Sequence, residues 1–483
     1  MIDREFCRFF GHDDEREEQI TFSDIIAESR ALNPLDGRYA GIKKEFSKYF
    51  SEEAFVKNRV WVFIAWTLFL LERVDEIKVL NDYERLKLLD IISIYNEFSD
   101  EDYIAIKKIE EQIGNDVKAI EKFVVDRLVQ AGFEQIIGYV NFGAAVEDIN
   151  NVAYAQMIKR ALENVWIPKA EKLMRVIKGI ARENGEVPML VYAKGQPATS
   201  STVGKELMVY VWRMQESIKR IKEINPNIKF NGLAGNYSAI SLAFPNTDWV
   251  NVTWEFASCY LKIKFSPVTS QVESYDYVCH LLNEIRHFCN VLKSFDKDMS
   301  FYLGLGYFKQ KNAKREMQLM HQVDTVQFRH SIGNIELANS TAYTLSDELP
   351  CACTQGDSAT STLLRSIGMV FGYSLMAIDQ TIEGMHKIAV DEKAITSRLE
   401  KHWEVLIDPV QVIMRKYGVT NVEMEIINSA NGDEISKEHI QNYIIESQVL
   451  SEEDKEKLLE LTPLNYVGRA SKIVDEIFEG KLE

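Results

Sequence analysis

From Asp148 to Asn184 the apolar side chains fall at Ile149, Val152, Met157, Ala161, Val165, Leu173 and Ile177. Those intervals return to one face of a helix with 3.6 residues per turn. Pro168, inside the run, removes a backbone donor and predicts a kink. The same period predicts helices over Gly204 to Ile224, over Tyr275 to Phe295 with Tyr277, Leu281, Ile285 and Leu292 on one stripe, and over Ser361 to Lys387. Strict alternation, the mark of a half-buried strand, is rare. Ten prolines and 24 glycines leave long stretches uninterrupted. Apolar stripes of this length predict an all-α bundle. The pattern divides into a first domain over 1–134, a central bundle over 135–388 and a C-terminal helical domain over 389–483. No internal repeat is visible, and Asp13-Asp-Glu-Arg-Glu-Glu18 reads as an acidic extension.

Composition narrows the function classes. A chain of 483 residues with 46% hydrophobic residues buries a large core. A net charge of −17 argues against sequence-independent nucleic-acid binding, which relies on Lys and Arg meeting phosphates. The six cysteines, at 7, 259, 279, 289, 351 and 353, show no zinc-site spacing and read as reduced thiols of a cytosolic protein. No signal peptide or membrane helix is expected.

Several short motifs follow one another in order. They are Asn33-Pro-Leu-Asp-Gly-Arg-Tyr39, Asn115-Asp-Val-Lys-Ala119, Phe142-Gly-Ala-Ala-Val-Glu-Asp-Ile-Asn-Asn151 and Lys194-Gly-Gln-Pro-Ala-Thr199, then Asn231-Gly-Leu-Ala-Gly-Asn-Tyr237, Ser270-Gln-Val-Glu273 and Leu461-Thr-Pro-Leu-Asn-Tyr-Val-Gly-Arg-Ala470. Together they resemble the adenylosuccinate lyases of the fumarase/aspartase superfamily, from about Ala31 to the end. The resemblance implies an all-α, three-domain fold with a long central bundle. It also implies a homotetramer in which each active site gathers segments from three subunits. The implied reaction is β-elimination of fumarate from a succinyl-amine nucleotide, with no metal or organic cofactor.

The proton-transfer end departs from that family. Lys194 stands where the family's general-acid histidine is expected. The family's mobile loop matches Glu316-Met-Gln-Leu-Met-His-Gln-Val-Asp-Thr325, so its basic serine falls on Met317, its lysine on Gln322 and its asparagine on Asp324. A thioether accepts no proton, and an aspartate at 324 opposes a substrate carboxylate. Ala145-Val146 replaces a Thr-Ser pair, Asn115 and Tyr275 replace histidines, and Gly356 replaces an arginine. The catalytic candidates are therefore Lys194, Glu316, Asp324 and Glu273, with Lys194 acting as acid or nucleophile and Glu316 or Asp324 as base, or with Lys194 simply pairing with Glu273. The nucleotide end is better kept. Arg38, Tyr39, Asn115, Gln196, Gln271, Ser361 and Arg365 are the substrate-binding candidates, Ser361 and Arg365 for a phosphate, whose oxygens suit the arginine fork.

Three functions stay open at this stage. One is a diverged lyase on a purine nucleotide or related succinyl-amine. A second is an inactive nucleotide-binding scaffold. A third is an ordinary adenylosuccinate lyase with substitute residues.

Overall fold

The structure, a computed structural model, describes residues 30–481 except 78–79, 81–87, 312–325, 352–353, 357, 431 and 433. Helix α1 (Ala40–Phe50) leads into α2 (Glu52–Arg73), whose first turn is capped by the Ser51 hydroxyl accepting from the Ala54 N–H at 3.0 Å. By length and composition α2 could cross a membrane, but here it is a core helix, buried on almost every side from Ala54 to Leu71. Helices α3 (Leu88–Asn96), α4 (Asp100–Ile113) and α5 (Asp116–Gln130) flank it.

Five long helices then pack side by side in a ring: α7 (Ile167–Glu183), α8 (Val203–Glu223), α9 (Asp276–Gly304), α10 (Val326–Glu348) and α12 (Ile367–Lys387). Helix α6 (Val146–Ala161) enters α7 through a π-helical turn at Leu162–Trp166. This refines the expectation at Pro168. The wider turn just ahead of the proline takes up the backbone irregularity, so the chain continues instead of breaking. Helix α9 runs nine residues beyond the expected Phe295, to Gly304. The helix expected from Ser361 to Lys387 is divided. Its first part, α11 (Ser358–Leu364), stops before a turn at 365–366, and α12 starts at Ile367.

Among the described residues the strands form three two-stranded sheets: the antiparallel hairpin β1 (Pro188–Ala193) and β2 (Gln196–Thr202), the short parallel pair β3 (Asn227–Ile228) and β4 (Lys264–Phe265), and β5 (Phe308–Gln310) with β6 (Ile388–Val390). After α13 (Glu392–Leu399) come α14 (Ile407–Lys416), α15 (Val422–Ser429), α16 (Lys437–Glu446), α17 (Glu452–Leu459) and α18 (Ala470–Phe478).

Among the described residues the buried apolar side chains form two hydrophobic cores. The larger runs from Phe46 through α2 and the ring to Ile395 and takes in Val474 of α18. The smaller joins Leu190 of β1 to Leu399, Val405, Leu406, Val422, Ile440 and Leu458. The hairpin is therefore rooted in the C-terminal core, and its tip is left in solvent.

Candidate active site

A cavity of about 210 Å³ opens where α2, α6, the segment 271–275 and α11 meet. Phe55, Glu147, Asn150, Tyr154, Tyr275 and Ser361 are among the residues that line it, with Gln271 and Gly356.

A buried aspartate fixes these walls. Asp148, with no solvent exposure, accepts from the Ala145 N–H at 2.7 Å, the Asn231 N–H at 3.1 Å and the Gly232 N–H at 3.0 Å. It also accepts from the equally buried Lys229 Nζ at 2.7 Å. Asn151 exchanges hydrogen bonds with the Lys229 backbone. The loop so held presses on the next segment. A Cβ added to Gly235, whose φ is +68°, would stand 2.2 Å from the Thr269 carbonyl oxygen, so only glycine fits. Asn231 Nδ2 donates to Thr269 Oγ1 at 2.9 Å. From there the chain passes directly to Gln271, Val272, Glu273 and Tyr275.

Burial pushes Glu147 above the ordinary carboxylate range, against the hydrogen bond it accepts from Asn150 Nδ2 at 3.0 Å. Glu273 is 3% exposed, and burial raises it to about 7, although its carboxylate accepts the Tyr275 N–H at 2.5 Å. Tyr275 is fully buried at a left-handed φ of 56°. Such a conformation is uncommon for a bulky residue and is often held in place at functional sites.

Beside the cavity lies a cluster of four charges. The Arg59 guanidinium, completely buried, donates to Asp116 at 2.7 Å and lies 4.0 Å from the Phe55 ring centre. Arg365 reaches Glu52 and Asp116, each at 3.4 Å, and donates to the Ser361 hydroxyl at 2.6 Å. Burial works against the Asp116 carboxylate, but the charge and hydrogen bond of Arg59 hold it below its ordinary range.

The structure thus brings Gln271, Ser361 and Arg365 to one place. Asn115 stands next to Asp116, but its Oδ1 is taken up in capping α5, where it accepts from the Lys118 N–H at 2.9 Å. Arg38 and Tyr39 sit elsewhere in the chain. They lie at the far end of α1, whose 11 residues span roughly 16 Å, and the Arg38 guanidinium is 6.0 Å from the Tyr39 ring centre.

Lys194 and Gln196 are exposed at the hairpin tip. Lys194 and Gly195 both have positive φ, 53° and 77°, as a tight two-residue turn requires. The expected pairing of Lys194 with Glu273 is not formed within the chain. Lys194 points from a solvent-exposed tip, whereas Glu273 is buried and turned onto the backbone of Tyr275. Glu316 and Asp324, with Met317 and Gln322, lie outside the described residues. Among the described residues no group of three or more His, Cys, Asp or Glu side chains is placed to hold a metal.

Sequence reasoning missed Glu52, Phe55, Arg59 and Tyr154. Arg59 carried a readable signal, since a cation inside an apolar 22-residue helix must find a carboxylate when buried. Tyr154 carried none, because an aromatic on a helix stripe reads as core.

Comparison with known proteins places the chain. Residues 37–317 match the lyase family, and residues 353–467 match the adenylosuccinate lyase C-terminal family. The chain is 34% identical over 451 residues to adenylosuccinate lyase of Escherichia coli K12, covering 92% of this chain and 98% of that one. It is equally similar, with the same coverage, to the enzyme of Buchnera aphidicola from Acyrthosiphon pisum. In fold it resembles a fumarate lyase from Mesorhizobium sp. BNC1, with a TM-score of 0.72 at 17% identity, covering 90% of this chain and 98% of that one. A β-carboxy-cis,cis-muconate cycloisomerase from Acinetobacter calcoaceticus follows at 0.69 and 14%, covering 92% and 100%. With that identity sustained over nearly its whole length, the chain belongs to the adenylosuccinate lyase family.

Proposed function

We propose that this family member is a diverged C–N lyase that binds a purine nucleotide or related succinyl-amine, with proton transfer reassigned away from the family's serine and histidine. The observation that carries this reading is the corner where Ser361 and Arg365 meet a cavity in which, among the described residues, Glu147 is the one ionisable carboxylate, lysine or arginine in the lining. An arginine fork preset by a hydroxyl at 2.6 Å suits a phosphate. Among the described residues of one chain no lysine or arginine lines this cavity, so a cation for the succinyl end has to come from elsewhere, as Lys194 of a neighbouring subunit would supply.

Further groups have roles in the same reading. Gln271 and Tyr39 contact the nucleotide, and Arg38 adds a second phosphate contact. Glu273, raised to about 7, titrates where a general acid or base works well. Lys194 protonates the leaving nitrogen, delivered by the exposed hairpin tip of a neighbouring subunit in a cytosolic homotetramer. The separation of Lys194, Arg38 and Arg365 within one chain supports a site assembled from several chains.

A spectrophotometric assay with adenylosuccinate tests the proposal. Base and acid each contribute roughly 10²–10⁴-fold, so turnover should lie far below that of the Escherichia coli relative. Any activity found on a related succinyl-amine should be lost in Lys194→Ala. Adenylosuccinate turnover within about tenfold of that relative would overturn the divergence. It would establish instead an ordinary adenylosuccinate lyase, a second reading that the 34% identity over 92% of the chain supports.

A further inference from the structure

Behind one wall of the cavity, outside its lining, two thiols come near each other. Cys279 stands in the first turn of α9 and is 8% exposed. Cys351 ends the 3-10 turn Leu349–Cys351, which follows α10, and it is exposed. That turn packs on both α9 and α10, with Leu349 buried beneath it. Both thiols are free, and Cys351 Sγ donates to the Asp347 carbonyl at 3.3 Å, a weak bond that is easily given up. Burial and then the Asp276 carboxylate push the Cys279 thiol up to about 11, and Cys351 is near enough for its charge to add to them. The residues that follow Cys351 reach the cavity. Gln355 Oε1 accepts the Gln271 N–H at 3.0 Å, and Gly356 packs on Val272. Gln271, Val272, Tyr275 and Gly356 all line the cavity. The two thiols therefore sit at the joint between two segments of one wall.

We infer that Cys279 and Cys351 close into a disulfide under oxidising conditions, and that this bridge clamps the segment 351–356 to the start of α9 and so stiffens the cavity wall. The oxidant is a low-molecular-weight disulfide, RSSR. The exposed Cys351 thiolate attacks one of its sulfurs, forms a mixed disulfide and releases RS⁻, which takes up the proton that Cys351 shed. Cys279 then loses its proton to solvent, and its sulfur attacks Cys351 Sγ and expels the second RS⁻, which is protonated in turn. Two protein thiols are oxidised to one disulfide, and one RSSR is reduced to two RSH. Access sets this order. A buried thiol with a raised pKa is a poor first nucleophile, and Cys279 acts once the mixed disulfide stands beside it. In a reducing compartment such bridges are transient and serve as redox sensors, so thiols that are reduced at rest agree with this role. Cys353, two residues on, lies outside the described residues and enters the test as a competitor. The clamp does not depend on which molecule the cavity binds.

Peptide mapping tests the bridge. The full-length protein is treated with oxidised glutathione, alkylated without reduction, digested and analysed by mass spectrometry. The peptide carrying Cys279 should be joined to the peptide carrying Cys351 in most chains, and the intact protein should still run as a single chain on a denaturing, non-reducing gel. Dithiothreitol should undo the link. Cys353→Ser should keep it and Cys351→Ser should abolish it. Hydrogen exchange then reads the clamp. In the oxidised protein the amides of 271–277 and 354–356 should exchange several-fold more slowly than in the reduced protein, because local opening of the wall is restrained. That difference should vanish in Cys279→Ala and in Cys351→Ser. Four results would overturn the bridge: Cys351 left unmodified, Cys351 glutathionylated with no link to Cys279, a link that survives Cys351→Ser, or a bridge between Cys351 and Cys353. A Cys279–Cys351 bridge that leaves the exchange rates unchanged would overturn the clamp.

Discussion

Asp296, on α9, has no solvent exposure and faces the middle of the helix ring. Thr381 of α12 donates to its Oδ1 at 2.8 Å, and the Ser331 hydroxyl of α10 lies 3.1 Å from Thr381 Oγ1. Its Oδ2 has no partner among the described residues. Burial outweighs the two hydroxyl contacts and raises the carboxyl to about 8. In the unfolded chain an aspartate titrates near ~3.9. Between those values the folded protein keeps a proton that the unfolded chain has released, so stability falls as pH rises through this window and levels off above about 8. The slope from this one group is at most ~1.4 kcal/mol per pH unit. Urea unfolding at pH 5, 6 and 7 should therefore show a shallower decline in Asp296→Asn than in the unmodified protein. Identical slopes would mean that Asp296 is ionised in the fold.

At the scale of elements, one ion pair joins the start of α6 to the loop after β3. The Asp148 carboxylate accepts three backbone N–H groups as well as Lys229, whereas the Lys229 ammonium has, among the described residues, only Asp148 and the Gly232 carbonyl, the latter at 3.2 Å. Removing one partner of such a buried pair costs about 3–5 kcal/mol. The asymmetry orders the two variants. Asp148→Ala strands a buried ammonium and three amides, so it should destabilise more than Lys229→Met, in which the carboxylate keeps its amides. If denaturant midpoints ranked them the other way, Asp148 would not be the hub. Adding Lys229→Met to Asp148→Ala should recover part of the loss.

These elements were legible in the sequence to different degrees. Period alone placed α6 to α9 and α12, because a stripe that must be buried leaves a strong mark. It could not see the turn that ends α11 at Leu364, since Ser361, Thr362 and Arg365 keep an acceptable helix pattern across the break. The motif at 142–151 marked the cavity wall. The partners of that wall on α2 did not stand out, because Phe55 and Arg59 lie in a run that reads as uninterrupted core.

At the scale of the whole molecule, the ring helices carry large apolar side chains in solvent: Val209 of α8, Phe301 of α9, and Leu337 and Tyr343 of α10. Scattered ones are ordinary on a soluble protein. On the helices that would form a shared bundle, they fit a surface that other copies cover. Light scattering at micromolar concentration should give the mass of four chains, and the mass of one chain would remove the multi-subunit site. A last consequence follows from Gly356, where a Cβ would lie 2.7 Å from Val272 Cγ2. Valine, branched at Cβ, has few rotamers to escape into. Two segments far apart in the chain are thereby locked to each other's size. Any side chain placed at 356 has to displace Val272 or the backbone before it fits, and a smaller residue at 272 relieves that conflict. Whoever wishes to build an arginine into this turn should therefore begin 84 residues upstream of it.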